Sequence, residues 1–286
     1  MNKKFGVFIN RKAGKGKPLI FSRLIQEELT KQHLLFEIFD TEWPANLNNL
    51  TDIFIAGGDG TVNYFINRYP ECELPITIIR AGSGNDFHKE LYGKKKDFKK
   101  NIETGLSGDI IFSDAGNCNG RWFLNGCGIG FDGKVVYSMQ KKRQGAFGLS
   151  AYLLYVLKNI ITYKSFNCII KTKDEIRNIK AFMITIANGK KYGGGFNVAP
   201  GAKINDGKLN LVIIKKINPL LRLFHLPKIK TGNHTRLKIT EQQEIETITI
   251  QSEYPVHAHT DGEYFSDTEF NISIHKGKFK FRVEKN

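Results

Sequence analysis

Apolar residues in the first hundred positions fall into short unbroken runs, each followed by a glycine-rich or polar stretch and then by helix-like spacing. Residues 5–9, 35–39, 52–56 and 76–79 read as buried strands. Pro18 suits a first helical turn, and the spacing predicts a helix from there to about His33, with Leu19, Ile20, Leu24, Ile25 and Leu29 on its buried face. Strand, loop and helix repeated in this way predict a parallel sheet flanked by helices. Ligands of such sheets bind beyond the carboxyl ends of the strands.

After about residue 110 the pattern changes. Residues 109–112, 121–124, 165–172, 181–187, 209–214, 236–240, 245–251, 270–274 and 278–283 read as strands, separated by turns such as Asn205-Asp206-Gly207 and Asp261-Gly262. One helix-like stretch, 149–162, interrupts them. Many strands with short turns predict an antiparallel sandwich or a barrel-like domain. The expected organisation is an α/β domain over 1–112 and a β-rich domain over 113–286, with the last strand free to return to the first domain.

Composition narrows the classes. Hydrophobic residues make up 41% and charged residues 25%, which is globular rather than disordered. A net charge of +15 favours an anionic partner, whether nucleic acid, nucleotide or acidic membrane, and does not choose among them. Cys72, Cys118, Cys127 and Cys168 have no zinc-like or C-x-x-C spacing and read as reduced thiols of a cytoplasmic protein. The first residues run into a strand with no signal-like apolar core. The longest apolar stretch, 147–161, is broken by Ser150, Lys158 and Asn159 and falls short of the roughly 20 residues that span a bilayer. The expected location is cytoplasmic, with membrane contact peripheral at the inner face. Lys141, Lys142 and Arg143 ahead of that stretch suit anionic headgroups, and equally suit the solvated start of a core helix. Residues 220–226 form a second apolar and basic run.

Three loops carry candidate chemistry. Gly57-Gly58-Asp59-Gly60-Thr61 follows the third strand: glycine backbone can approach a polyphosphate, Asp59 can hold Mg²⁺, and Thr61 offers a hydroxyl at a helix N-cap. Alone, such a segment is often enough a tight turn capping a helix. Asn10-Arg11-Lys12-Ala13-Gly14-Lys15-Gly16-Lys17 follows the first strand and lacks Walker spacing, yet its glycines and cations suit a phosphate-binding turn. Ala81-Gly82-Ser83-Gly84-Asn85-Asp86-Phe87 follows the fourth. Three such loops on one sheet edge favour a shared nucleotide site. His257 and His259 lack an apparent third ligand and read as a satisfied or surface pair rather than a zinc site.

These segments together resemble the diacylglycerol kinase catalytic-domain family. Gly57 to Thr61 alone is shared with NAD kinases and phosphofructokinases. The rest of the pattern is added by Asn10 to Gly14, Gly82 to Phe87, the mid-chain Gly128-Ile129-Gly130-Phe131-Asp132, and the late Asp261-Gly262-Glu263. The resemblance implies a nucleotide-binding α/β domain, a β-rich domain, and catalysis in a cleft between them. It implies ATP against Asn10, Arg11, Lys12, Ala13, Gly14, Thr41, Gly57, Gly58, Asp59, Gly60, Thr61, Asn63 and Ser83. Asp261 would be the general base toward a lipid alcohol, with Glu263 beside it. A structural Mg²⁺ would take Lys203 and Lys208 through their carbonyls and Asp206 through its side chain. A homodimer through the second domain is left open. Arg11, Ala13 and Tyr64 depart from the family pattern, where proline, serine and glutamate are usual, and Ser83 replaces the common threonine. The rival readings are an NAD kinase or other small-molecule kinase, and an idle nucleotide-binding module. No nucleic-acid signature is present, so nucleic acid is not an expected partner.

Overall fold

The computed structural model describes residues 3–11, 17–93, 97–141 and 149–285, except the side chains of 149–151. The chain forms two compact units, Met1–Ser113 with Gly277–Asn286, and Asp114–Lys276.

The first unit contains β1 (Lys4–Ile9), α1 (Lys17–Lys31), β2 (Leu35–Phe39), β3 (Asp52–Gly57), α2 (Asp59–Arg68), β4 (Ile76–Arg80), α3 (Asp86–Tyr92) and α4 (Phe98–Ser107). Its strands run parallel in the order β2-β1-β3-β4. β1 and β3 are apolar almost throughout, as strands covered on both faces must be. Phe5, Val7 and Ile9 pack with Ile25 and Leu29 of α1 and Ile102 of α4. Phe8, of opposite parity, meets Trp43 and Phe65 edge-on at 5.0 Å on the other face. The buried stripe of α1 differs from the expected one. Pro18, Ser22, Ile25 and Leu29 are buried, whereas Leu19, Ile20 and Leu24 are exposed. Spacings of four, three and four keep the stripe on one narrow face, and the three exposed residues fall about a quarter-turn or more away from it.

The chain leaves this unit within β5 (Asp109–Cys118) and returns within β13 (Glu263–Val283). The returning end places Phe281 beside Ile76 of β4 in parallel. Arg282 is anchored there: its Nε donates to Asp52 Oδ1 at 2.8 Å and its Nη1 to Gly108 O at 2.8 Å.

The second unit is antiparallel. It comprises β6 (Arg121–Phe123), β7 (Gly126–Gly130), α5 (Phe131–Gln140), α6 (Leu149–Ile160), β8 (Phe166–Lys171), β9 (Ile176–Ala187), β10 (Leu209–Lys215), α7 (Pro219–Thr231), β11 (Thr240–Ile245), β12 (Thr247–Thr260) and most of β13. β9 pairs with β8 along its first half and β7 along its second, and both also pair with β12. This double bridge builds a sandwich around Phe123, Ile129, Ile170, Ile184, Ile250 and Phe270. Several sequence readings change here: among the described residues three helices, α5 to α7, stand where one was expected, and the strands expected at 270–274 and 278–283 are continuous in β13. The strand expected at 236–240 is the end of a short 3₁₀ turn, Asn233–Arg236, leading into β11, and the run at 220–226 is helical.

Candidate active site

The carboxyl ends of β1 to β4 lie on one edge of the first unit, with Ile9 level with Ala56 and Gly57 level with Arg80. The chain leaves β1 for β2 on one side and β3 for β4 on the other. The order therefore reverses between β1 and β3, which is where such sheets bind ligands. The loops after these two strands begin with Asn10-Arg11 and Gly57-Gly58. Lys12, Ala13 and Gly14 lie outside the described residues. Arg11 Nε donates to Asp40 Oδ2 at 3.1 Å, just past β2, and Thr41 Oγ1 donates to Asp40 Oδ1 at 3.0 Å. The Arg11 hydrogen bond holds the Asp40 carboxyl below the usual carboxylate range. Arg11 and Thr41 thus meet through Asp40, a lone acidic residue that no motif singled out.

Gly57–Thr61 and Ala81–Phe87 interlock. Asp59 Oδ2 accepts from Asp86 N at 2.8 Å and Oδ1 from Phe87 N at 3.2 Å, so the carboxylate read as a Mg²⁺ candidate caps the first turn of α3. Asp59 N donates to Gly84 O at 3.1 Å, and Gly82 N to Gly57 O at 3.1 Å. A Cβ on Gly58 would lie 2.5 Å from Gly84 O and 2.9 Å from Gly82 Cα. These glycines are required by the approach of one turn to the other. Thr61 is not the N-cap of α2: Gly58 holds that position, and Thr61 is buried in the first turn. Asn63 is buried as well, while Gly60 and Ser83 are exposed.

Beside this edge, within the first unit, a cavity of about 430 Å³ is lined by Lys17, Phe21, Arg80, Gly82, His88 and Asn101, among others. His88 is buried, with Nε2 3.1 Å from Asn101 Nδ2. Burial, helped by the charges of Arg80 and Lys89, lowers its pKa to about 4. The imidazole is therefore neutral at physiological pH.

In the second unit Asp261 has φ +49°, a left-handed conformation that Asp tolerates in a turn. Its Oδ1 accepts from Asn125 N and Gly126 N, both at 2.9 Å, and its Oδ2 from Leu124 N at 2.8 Å. Three backbone donors entering β7 therefore fix this carboxylate. Glu263 follows, with a solvent-exposed side chain. Partial loss of water around its carboxyl pushes its pKa up, His259 opposes that, the Asp261 charge adds to it, and the net direction is upward.

Behind the turn is a buried network that the sequence did not reveal. His259 Nδ1 accepts from Gly262 N at 3.2 Å, and its Nε2 faces Asp132 Oδ2 at 3.1 Å. Asp132 Oδ1 accepts from Tyr152 OH at 3.0 Å. Burial pushes the Asp132 carboxyl up, but His259, Tyr192 and Tyr152 outweigh it and bring its pKa below the ordinary value. Gly128 leaves room for this contact, since a Cβ there would lie 2.5 Å from His259 Nε2 and 2.6 Å from Asp132 Oδ2. The mid-chain glycine motif is thus a buried strand that makes space for a histidine–carboxylate contact. His257 is separate and bonds Tyr264 OH at 2.9 Å.

The loop holding Lys203, Asp206 and Lys208 is tied to the middle of β5. Gly207 N donates to the buried Asp114 Oδ2 at 2.6 Å, and Asp114 N to Ile204 O at 2.6 Å. Asp206 is exposed and its Oδ1 accepts from Lys208 N at 3.1 Å, while Lys208 Nζ pairs with Glu244. Among the described residues no cluster of three or more His, Cys, Asp or Glu side chains could hold a metal.

Residues 4–118 match the family model of the diacylglycerol kinase catalytic domain, and residues 126–280 match that of the YegS C-terminal NAD kinase beta sandwich-like domain. The chain belongs to the YegS-type diacylglycerol kinase family. It is a lipid kinase, a phosphotransferase. A diacylglycerol kinase of Staphylococcus epidermidis is 26% identical over 99% of this chain and 95% of its own length. One from Staphylococcus saprophyticus is 28% identical over 78% of this chain and 74% of its own. A crystal structure of a diacylglycerol kinase from Bacillus anthracis shares the fold at TM-score 0.75 and 22% identity, covering 99% of this chain and 97% of that one. An NAD kinase from Archaeoglobus fulgidus in complex with ATP shares it at TM-score 0.59 and 15% identity, covering 99% and 94%. Family membership favours the lipid kinase over the NAD kinase alternative.

Proposed function

We propose that the protein transfers the γ-phosphoryl group of ATP to the hydroxyl of diacylglycerol or a related lipid alcohol. The observation that carries this reading is the pair of tethered carboxylates, Asp59 and Asp261, each fixed by backbone donors inside a family motif. The interlocked glycine turns and the Arg11–Asp40–Thr41 cluster, at the reversal of strand order, supply N–H groups and a cation to the triphosphate. During transfer the acceptor oxygen bonds the γ-phosphorus, the bond to the bridging oxygen of ADP breaks, and the hydroxyl proton passes to Asp261. Phosphoryl transfer is loose at its transition state, so the proton is shed late and the first task of Asp261 is to orient the hydroxyl. Glu263 lies two residues on and supports the local charge.

Mg²⁺ fits two places by donor chemistry. Carboxylate oxygens of Asp59 and the phosphates would hold the nucleotide's ion, which neutralises charge when bound. The exposed Asp206, with carbonyls of Lys203 and Lys208, offers hard oxygen donors to an ion that keeps most of its waters, in a loop already braced by Asp114. We place the protein in the cytoplasm, meeting its lipid at the inner membrane face. Incubation with labelled ATP and a total lipid extract, with the product identified by mass spectrometry, tests the reading. A phosphorylated lipid alcohol is expected, and labelling of NAD alone would overturn it.

A further inference from the structure

α7 departs from the usual division of a surface helix into an apolar and a polar face. Its inward side carries Arg222, Leu226 and Ile229, and its outward side carries Leu220, Leu223, Phe224 and Pro227. Leu220 and Phe224 are 73% and 70% exposed. α6 repeats the arrangement. Leu154 and Leu157 are exposed with Lys158 in the same row, and Ile161, one residue past the helix, is exposed as well. Val156 and Ile160 are buried in the cluster that also receives Leu226 and Ile229. Both outward rows therefore face away from one shared core.

The two helices are clamped. Arg222, on the buried side of α7, donates through Nη1 to Ile160 O at 2.8 Å and Tyr163 O at 2.7 Å, carbonyls at the end of α6. Its guanidinium also lies 4.2 Å from the centre of the Phe182 ring. The apolar rows are thus held in place by buried polar bonds.

Charge indicates what covers them. No Asp or Glu occurs anywhere in residues 133–173 or 207–240, the segments that carry α6 and α7, whereas Lys158, Lys164, Lys216, Lys228 and Lys230 do. Lys228 keeps its ammonium 5.4 Å from the Phe224 ring, so apolar body and cation share one patch. A second copy of this chain would bring the same cations against one another in a two-fold contact. A layer with an apolar interior and anionic headgroups satisfies both features at once.

We propose that the outward rows of α6 and α7 are the surface by which the protein docks on an anionic bilayer. The apolar side chains would enter the interfacial region and the lysines would meet the headgroups. The proposal deepens the lipid-kinase reading and rests on it only for its purpose, since docking needs no ATP.

The test is sedimentation of the full-length protein with vesicles of phosphatidylcholine, with or without phosphatidylglycerol. Binding to the anionic vesicles should be about tenfold tighter or more, as several lysines near a charged surface require. Leu220→Ser with Phe224→Ser should weaken it about tenfold or more, at an unchanged thermal midpoint, because each buried apolar side chain contributes to insertion. Lys228→Gln with Lys230→Gln should reduce the anionic preference while leaving the fold intact. Transfer to a short-chain acceptor in detergent micelles should stay at the wild-type rate in the Leu220/Phe224 variant. Wild-type vesicle binding by that variant would overturn the proposal. So would a wild-type dimer that the variant converts to monomer with vesicle binding retained, which would make the face an interface between copies. Vesicle docking without transfer to any lipid in micelles would leave this surface standing and remove the kinase reading.

Discussion

His259 and Asp132 face each other at 3.1 Å inside the second unit, and the other nitrogen of the same imidazole accepts the Gly262 N–H of the Asp261 turn. With Nδ1 an acceptor, the ring proton is on Nε2, the nitrogen that lies near the carboxylate. The turn that carries the proposed base therefore has a buried support that joins two motifs, the mid-chain glycine motif with its Asp132 and the late acidic turn. Asp132→Asn would set an amide against the imidazole N–H. It should cost about 1–3 kcal/mol in urea unfolding, the usual loss when a buried contact to a charged group is removed. An unchanged midpoint would show that the contact carries no weight.

The two glycine turns of the first unit make a second prediction. Gly58→Ala has no space, because the atoms it meets, Gly84 O and Gly82 Cα, are both backbone. The variant should separate the turns and release the Asp59 cap on α3. Stability should fall by about 1–3 kcal/mol, the usual cost of overpacking, and ATP affinity measured by calorimetry should fall with it.

His88 predicts a pH dependence. Burial lowers its pKa from 6.5 to about 4, so the folded chain keeps it neutral while the unfolded chain takes up a proton. The associated stability is present above about pH 6.5 and is lost as pH falls toward about 4, amounting to at most about 3 kcal/mol. His88→Gln should flatten the decline in urea midpoint over that window. An equally steep decline in the variant would assign the effect to other groups.

Arg282 closes the first unit with the chain's last strand. Its guanidinium bonds Asp52 and Gly108 O in a buried setting. Arg282→Ala leaves the Asp52 carboxylate buried and without that partner, and should cost about 3–5 kcal/mol in the same assay. Asp52→Asn with Arg282→Met should recover part of the loss, and failure to recover any would mean the pair does not act as a unit.

The sequence showed the first unit well because each buried parallel strand is an apolar run ending in glycine or a polar turn. Its reading of α1 failed on Leu19, Ile20 and Leu24, which are apolar yet exposed, so composition marked a wider stripe than packing uses. β7 was hidden because Gly126, Gly128 and Gly130 look like a loop. Their role is visible only once His259 and Asp132 are seen to occupy the space a Cβ would take. α7 escaped because a helix apolar on both sides has no amphipathic period to detect. In the candidate site, motif spacing marked Asp59 and Asp261, but the backbone donors that hold them come from residues with no distinguishing side chain. Asp40 and Asp132 carry no local signature either, and only long-range contact shows their partners.

The most direct test is transfer of labelled phosphate from ATP to a lipid alcohol in mixed micelles by the wild type and by Asp261→Asn. Asn keeps one oxygen for the N–H groups of Asn125 and Gly126 and loses the acceptor for Leu124 N, so far-UV circular dichroism serves as the check that the variant is folded. Robust transfer by the wild type and a loss of about a hundredfold or more in the variant are expected, the scale of a lost acid–base group. Full transfer by a folded Asp261→Asn protein would contradict that role for Asp261.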